Sequence, residues 1–173
     1  MRMELRFATL NDAEKLCLFA RQAFYDSYAW YNTEEDMVVY LDSSFSIDKI
    51  KTEINDPKAT FVLAFDEHHV CGYIKLIWNE RPDIPNIDEK QLEIARLYAD
   101  KKLIGKGIGR LLMEAAIAFA KQVNAAIIWL DVWKENKRAI AFYTKWGFKI
   151  VSDWTFMLGK DLQEDYIMVK RLE

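Results

Sequence analysis

Glycines recur at alternate positions in LIGKGIGRLL, Leu103 to Leu112, as Gly105, Gly107 and Gly109, directly before a helix-forming run. Each glycine weakens a helix by roughly 0.5–1 kcal/mol relative to alanine, so this spacing points to backbone that something must approach closely. A glycine turn feeding a helix start offers N–H groups with no intrahelical acceptor and the positive end of the helix dipole, a setting for phosphate or pyrophosphate. Lys106 and Arg110 add positive charge beside it. Two other anion loops are excluded by spacing. A dinucleotide turn needs G-x-G-x-x-G, but Arg110 or Leu112 stands where the third glycine would fall, and no Lys-Ser or Lys-Thr follows as in a Walker loop. Taken alone, the window is equally a tight strand-to-helix connection.

The composition narrows the class. With 173 residues, 51% of them hydrophobic, the chain is long enough for one domain, residues 1–173, with a substantial core. A net charge of -3 argues against nucleic acid as a main partner. The charge is unevenly spread: residues 1–100 carry 11 basic and 19 acidic side chains, and residues 101–173 carry 13 and 8. The glycine turn opens the basic part, which suits an anionic ligand there and a cationic one toward the N-terminal part; solvated surface charge is the plainer reading. Cys17, Cys71, His68 and His69 have no metal-ligand or disulfide-framework spacing, so no metal site is expected and a reduced, cytoplasmic setting fits. No signal-type leader or membrane-length apolar run is expected.

The elements that must position the glycine turn follow from periodicity. Glu4 to Ala8 predicts a strand, and Asn11 or Asp12 caps a helix through about Tyr28. Residues 33–55 form one or two helices. Thr60 to Phe65 and Val70 to Trp78 make a hairpin, the loop ERPDIPNIDEK follows, and Gln91 to Ala99 is a fourth strand. The helix from Gly107 to Val123 aligns Ile108, Leu111, Leu112, Ala115, Phe119 and Val123. Ala125 to Trp133 is a buried fifth strand, Asn136 to Trp146 a short helix, and two strands close the chain near Phe148 to Phe156 and Tyr166 to Arg171. The fold class is α/β with a mixed sheet.

LYADKKLIGKGIGRLL followed by WLDVWKENKRAIAFYTKWGF resembles the Gcn5-related N-acetyltransferase (GNAT) family, and within it the PaiA-type spermidine/spermine acetyltransferases, over nearly the whole chain. The resemblance implies the acyl-CoA N-acyltransferase fold, a mostly antiparallel sheet of about seven strands splayed between strands 4 and 5. It also implies acetyl-CoA as cofactor and a small-molecule amine, a polyamine above all, as substrate, in a protein that is a monomer or homodimer. Carried over by motif, Leu97, Tyr98 and Ala99 meet the pantetheine arm; Ile104, Gly105, Lys106, Gly107, Ile108, Gly109 and Arg110 hold the pyrophosphate; Asn136, Tyr143 and Lys145 complete the cofactor site. Ile104 departs from the family, which has Arg or Gln there, so a side-chain contact is lost.

An aliphatic amine, with a pKa of about 10.4, reaches neutral pH protonated and must lose a proton before it attacks a thioester. Glu93 is the candidate base: strand alternation puts it with Ala95, Leu97 and Ala99 on an otherwise apolar face, although an ordinary ion-paired strand carboxylate has the same signature. Tyr143 matches the family's acid for the leaving thiolate. Tyr28, Trp30, Glu34, Glu35 and Asp36, in FYDSYAWYNTEED, suit a polycation through ion pairs and cation–π contacts, or else form a helix pair with an acidic edge. No cysteine lies where a covalent relay would need one, so direct transfer in a ternary complex is expected. The alternatives are acetylation of a peptide N-terminus or another small amine, and a silent CoA-binding sensor.

Overall fold

The computed structural model describes residues 3–78, 90–158 and 161–172 of the chain. The first strand is β1 (Met3–Phe7); a 3-10 turn at Leu10–Asp12 leads into helices α1 (Ala13–Tyr28), α2 (Glu34–Ser44) and α3 (Ile47–Asn55). Strands β2 (Ala59–Asp66) and β3 (His69–Ile77) form the expected hairpin, and β4 (Gln91–Ala99) runs to a second 3-10 turn at Lys101–Leu103. Then come α4 (Ile108–Gln122), β5 (Ile127–Trp133), α5 (Lys137–Lys145), β6 (Lys149–Leu158) and β7 (Asp161–Arg171). The loop expected at ERPDIPNIDEK lies, except for Lys90, outside the described residues. Thr33, Ser46 and Asn136 cap α2, α3 and α5 by accepting from the N–H groups of Asp36, Lys49 and Ala139.

Among the described residues, seven strands form one sheet in the order β1-β2-β3-β4-β5-β7-β6. Every neighbouring pair is antiparallel except β4 and β5, which run parallel. That parallel pair is registered only at Gln91↔Ile127, Leu92↔Ile128 and Glu93↔Trp129, after which the strands part, so the expected splay is present. Beyond Glu93, no strand among the described residues pairs with the edge of β4 that faces β5.

Apolar side chains fill both faces of the sheet. Under α4 and α5, Leu76, Leu92, Ile94, Leu112, Met113 and Ile128 belong to one core; under α1, α2 and α3, Leu16, Phe24, Phe45, Leu63 and Tyr73 belong to another. Helix α4 buries Ile108, Leu112, Met113, Ala116 and Ala120, with Leu111, Ala115, Phe119 and Val123 only partly covered. The expected apolar stripe is thus turned by about one position, because the helix is sunk deeply enough for both flanks of Leu112 to find cover. Gly72 of β3 allows this: a Cβ there would lie 2.6 Å from Ile108 Cγ2 and 3.0 Å from the Tyr98 carbonyl oxygen. Any side chain at position 72 would lift the start of α4 from the sheet.

A bulge in β4 changes which face its residues occupy. Lys75 pairs with Arg96 and Leu76 with Ile94, leaving Ala95 as the extra residue. Leu92 and Ile94 before it, and Leu97 and Ala99 after it, all pack on the α4 face. Arg96 and Tyr98 turn to the opposite face, where Arg96 meets Glu53 of α3 at 2.8 Å and Tyr98 packs into the α1–α3 core. Glu93, by alternation from Ile94, shares that second face. The expected grouping of Glu93 with Leu97 and Ala99 is therefore corrected, since one inserted residue inverts a period of two.

Glu53 also binds Lys75 at 2.9 Å, so one carboxylate joins two cations from neighbouring strands, all three side chains nearly buried. The Arg96 guanidinium lies 4.4 Å over the Phe45 ring and donates to the Ser44 carbonyl. Burial is the largest influence on Lys75 and lowers its pKa, the nearby Arg96 charge adds to that, and Glu53 opposes both. Glu53→Gln leaves both cations with less than their countercharge, a change of the type that costs about 3–5 kcal/mol when a buried pair is broken. Urea unfolding at pH 7 should show such a loss; one below about 1 kcal/mol would mean that packing alone holds α3 on the sheet.

Candidate active site

The splay opens a cleft of about 1340 Å³ that passes from the α4–α5 face to the α1 face between β4 and β5. Its β4 wall is Ile94 to Ala99 and its β5 wall is Asp131, Val132 and Trp133. One end is a helix start, and the other is aromatic and acidic.

At the first end, Gly105 and Gly107 have φ of +82° and +86°, in the left-handed region where a side chain is strained. A Cβ on either would meet no atom within 4 Å, so the strained turn is not imposed by packing and the space above it is open. Gly107 is the N-cap of α4, and Leu111 N–H is the first to bond back to its carbonyl. The N–H groups of Ile108, Gly109 and Arg110 hence begin the helix facing the cleft without an acceptor four residues back. Lys101, Lys102, Arg110, Lys137 and Arg138 line the same end, Arg110 paired with Glu114 at 2.8 Å and Lys101 with Asp26 at 2.5 Å. These groups fit a pyrophosphate-bearing cofactor: open glycine backbone, a helix start and surplus cations. Ile104, 46% exposed, lines the mouth with an apolar side chain.

Asn136 lines the cleft while its Oδ1 caps α5 through the Ala139 N–H at 3.1 Å, so its carboxamide oxygen has a structural duty. Tyr143 projects from α5 into the middle of the cleft, and Leu97, Tyr98 and Ala99 form the strand wall. Burial holds the Tyr143 phenol well above a tyrosine's usual range, with Tyr28 and Asp131 adding to the effect. Lys106 and Lys145 are exposed and do not line the cleft, and neither does Glu93.

At the α1 end, Trp133 stands against Tyr31, ring centroids 4.8 Å apart, and Tyr28, 6.2 Å apart. The hydroxyls of Tyr28 and Tyr98 share a hydrogen bond, and burial pushes Tyr28 up to about 12. Gln163 of β7 donates to Asn32 at 3.1 Å, tying the turn after α1 to the far side of the splay. Trp30 is 93% exposed and outside the cleft. Glu34, Glu35 and Asp36 make the first turn of α2, where carboxylates complement the helix dipole and Asp36 accepts from the Thr33 hydroxyl at 2.7 Å; none of the three lines the cleft. Of Tyr28, Trp30, Glu34, Glu35 and Asp36, Tyr28 alone lines the cleft, together with Trp133 and with Asp26 of the same N-terminal segment.

Two carboxylates that the sequence reading passed over are there instead. Asp131 of β5 and Asp165 of β7 lie on one face as diagonal neighbours, since Asp131 pairs with Ile167 and Trp133 with Asp165. Asp165 is 7% exposed, and its buried Oδ1 has no hydrogen-bond partner. Burial first, and the Asp131 charge second, push the Asp165 carboxyl up to about 6, with Lys134 acting in the opposite sense. The available signal was the aspartate in LDV, a charge within an otherwise apolar strand, which alternation puts on the same face as the buried Ile127 and Trp129.

The model of the acetyltransferase (GNAT) family matches residues 20–148. An uncharacterized N-acetyltransferase of Lactobacillus delbrueckii subsp. lactis is 31% identical over 94% of this chain and 93% of its own length. The spermidine N(1)-acetyltransferase of Thermoplasma acidophilum is 27% identical over 100% of this chain and 99% of its own. The crystal structure of the PaiA N-acetyltransferase from T. acidophilum in complex with coenzyme A superposes with a TM-score of 0.81 at 26% identity, covering 99% of this chain and 100% of that one. The family match spans most of the chain, including the whole of the glycine turn and α5, and with the parallel, splayed β4–β5 pair it settles the classification: the chain belongs to the acetyltransferase (GNAT) family.

Proposed function

We propose that the cleft transfers acetyl from acetyl-CoA to a primary amine of the polyamine class by direct attack. The observation that carries this reading is the opening between β4 and β5, which joins an anion-binding helix start on one face of the sheet to an aromatic, acidic chamber on the other. A thioester entering from the first side and an ammonium from the second would meet at the Tyr143 hydroxyl. The likeness to the Thermoplasma spermidine N(1)-acetyltransferase supports the polyamine choice, as do the carboxylates lining the chamber, Asp131 and Asp165, and its aromatic walls.

Each part has a physical role in this reading. Backbone N–H groups of Ile108, Gly109 and Arg110 at the start of α4 hold the pyrophosphate, while the N–H of Lys106 in the turn bonds the Leu103 carbonyl. The unpaired edge of β4 beyond Glu93 offers alternate N–H and C=O groups to the pantetheine amides, as a strand would. Neither Cys17 nor Cys71, both buried, lines the cleft, which agrees with transfer without an acyl-cysteine. The buried Tyr143 phenol keeps its proton at every ordinary pH. Since it holds that proton more tightly than a thiol, whose pKa is about 8.5, it serves as a hydrogen-bond donor and relay rather than as a strong acid.

Three outcomes follow. Gly107→Val puts a branched side chain into the open space above the turn, where a Cβ meets no atom within 4 Å, so calorimetry should show acetyl-CoA affinity lost in a protein with an unchanged circular dichroism spectrum; undiminished affinity would remove the turn from the cofactor site. Tyr143→Phe should lower kcat by about ten- to a thousand-fold at nearly constant acetyl-CoA affinity, and a normal kcat would return the residue to the core. In a thiol-release assay, spermidine and spermine should give higher kcat/KM than a monoamine or a peptide N-terminus, with the advantage shrinking as salt is raised past about 0.1 M. A preference for the peptide would replace the polyamine assignment.

A further inference from the structure

We propose that Asp165 is the base of this enzyme, an inference that rests on the acetyltransfer reading above: its buried carboxylate, aimed into the aromatic end of the cleft beside Asp131, takes the proton from the incoming ammonium. Three observations carry it. Asp165 is 93% withdrawn from solvent yet its Oδ1 has no hydrogen-bond partner, an arrangement that costs free energy unless a donor arrives. It lines the cleft on the α1 side, across the splay from the helix start where an anionic cofactor fits. Tyr28, Tyr31 and Trp133 wall the same space, so the donor that fits is a cation with apolar arms rather than water alone. Glu93, the base expected from strand alternation, stands before the bulge and outside the cleft lining.

The groups facing Asp165 tune it in opposite senses. Asp131, from β5, repels its negative form, while Lys134, at the end of the same strand, attracts it. Lys134 is itself held by Asp153 at 2.9 Å and Glu164 at 3.3 Å, which weakens its pull on the chamber. Tyr28 from α1 and Tyr143 from α5 are both kept neutral by burial. With a carboxyl pushed up to about 6, Asp165 is ionised at neutral pH and a stronger proton acceptor than an exposed aspartate.

The ammonium gives one proton to Asp165, and the freed nitrogen lone pair bonds the thioester carbonyl carbon. The carbon–sulfur bond breaks with its electron pair going to sulfur. The second proton leaves nitrogen for the Tyr143 oxygen as the Tyr143 proton passes to sulfur, giving amide and thiol. Asp165 then returns its proton to water as the products depart.

The test compares the parent, Asp165→Asn, Asp165→Glu and Asp131→Asn over pH 5–9, reading kcat/KM for spermidine, acetyl-CoA affinity by calorimetry, and the carboxyl titration by ¹³C NMR in the free enzyme. In the parent, kcat/KM should rise with pH through about 6 as the Asp165 carboxyl loses its proton, with an NMR titration that matches. Asp165→Asn should lose that limb and about a hundred- to ten-thousand-fold of kcat/KM while binding acetyl-CoA as before; Asp165→Glu should recover part of it. Asp131→Asn removes the repelling charge, so both limb and titration should move to lower pH. Parent-like kcat/KM in Asp165→Asn, or an acid limb that persists there, overturns the assignment while leaving acetyl transfer standing. A parent that binds acetyl-CoA but acetylates no amine overturns the acetyltransfer reading itself, and the base with it.

Discussion

Two parallel strands that pair for three residues and then separate are the constraint on which the rest of this molecule depends. A sheet normally seals its two faces from each other, because every interior strand edge is paired. Here the pairing of β4 with β5 stops at Glu93↔Trp129, and a passage lined by main chain connects one layer of helices to the other. An ungapped sheet would leave the glycine turn and the acidic chamber as unrelated surface features. With the gap, a ligand held at one can reach a ligand held at the other.

Keeping such a gap open needs support on both sides, since unpaired backbone in a protein interior is costly. On the β4 side the bulge at Ala95 redirects the strand, and Arg96 just after it is anchored through Glu53 to α3 while Tyr98 packs under α1. On the β5 side the strand is held away by β7, paired along its whole length from Ile127 to Trp133. Helix α4 can start at the mouth of the passage only because Gly72 lets it lie close to β3. The bridge from Asn32 to Gln163 closes the far end, so the aromatic chamber is framed by elements that are each fixed elsewhere.

The glycine turn and the helix that carries Tyr143 were legible in the sequence, while the carboxylates at the α1 end and the absence of Lys106 and Lys145 from the cleft lining were not, for physical reasons that differ. Gly105 and Gly107 announce themselves because a left-handed turn excludes almost every other residue, and Tyr143 is carried by an amphipathic helix with an unmistakable period. Glu93 was placed on the wrong face because a bulge leaves no clear trace in composition: Ala95 is an unremarkable strand residue. The first half of β7 was missed since Gln163 and Asp165, which point inward, are polar, and a strand with polar inward positions has no alternating pattern to detect. The acidic run Glu34 to Asp36 attracted attention for the opposite reason. Consecutive charges stand out in a sequence, yet at a helix start they are answered by the dipole and the N-cap.

Asp165 and the Glu53 triad show how burial of charge separates structure from function in one small protein. Glu53 is surrounded by what it needs, two cations from adjacent strands, and its charge is spent inside the fold. Asp165 is buried as completely but lacks a donor at Oδ1, and a second carboxylate, Asp131, acts on it. A carboxyl whose pKa is raised in the folded state favours folding below its unfolded value of about 3.9 and loses that contribution as pH rises through about 6, so at neutral pH this residue opposes the fold that holds it. A position that weakens the native state at working pH is poor architecture and good chemistry. The free energy withheld from folding remains available to the first cation that enters the chamber.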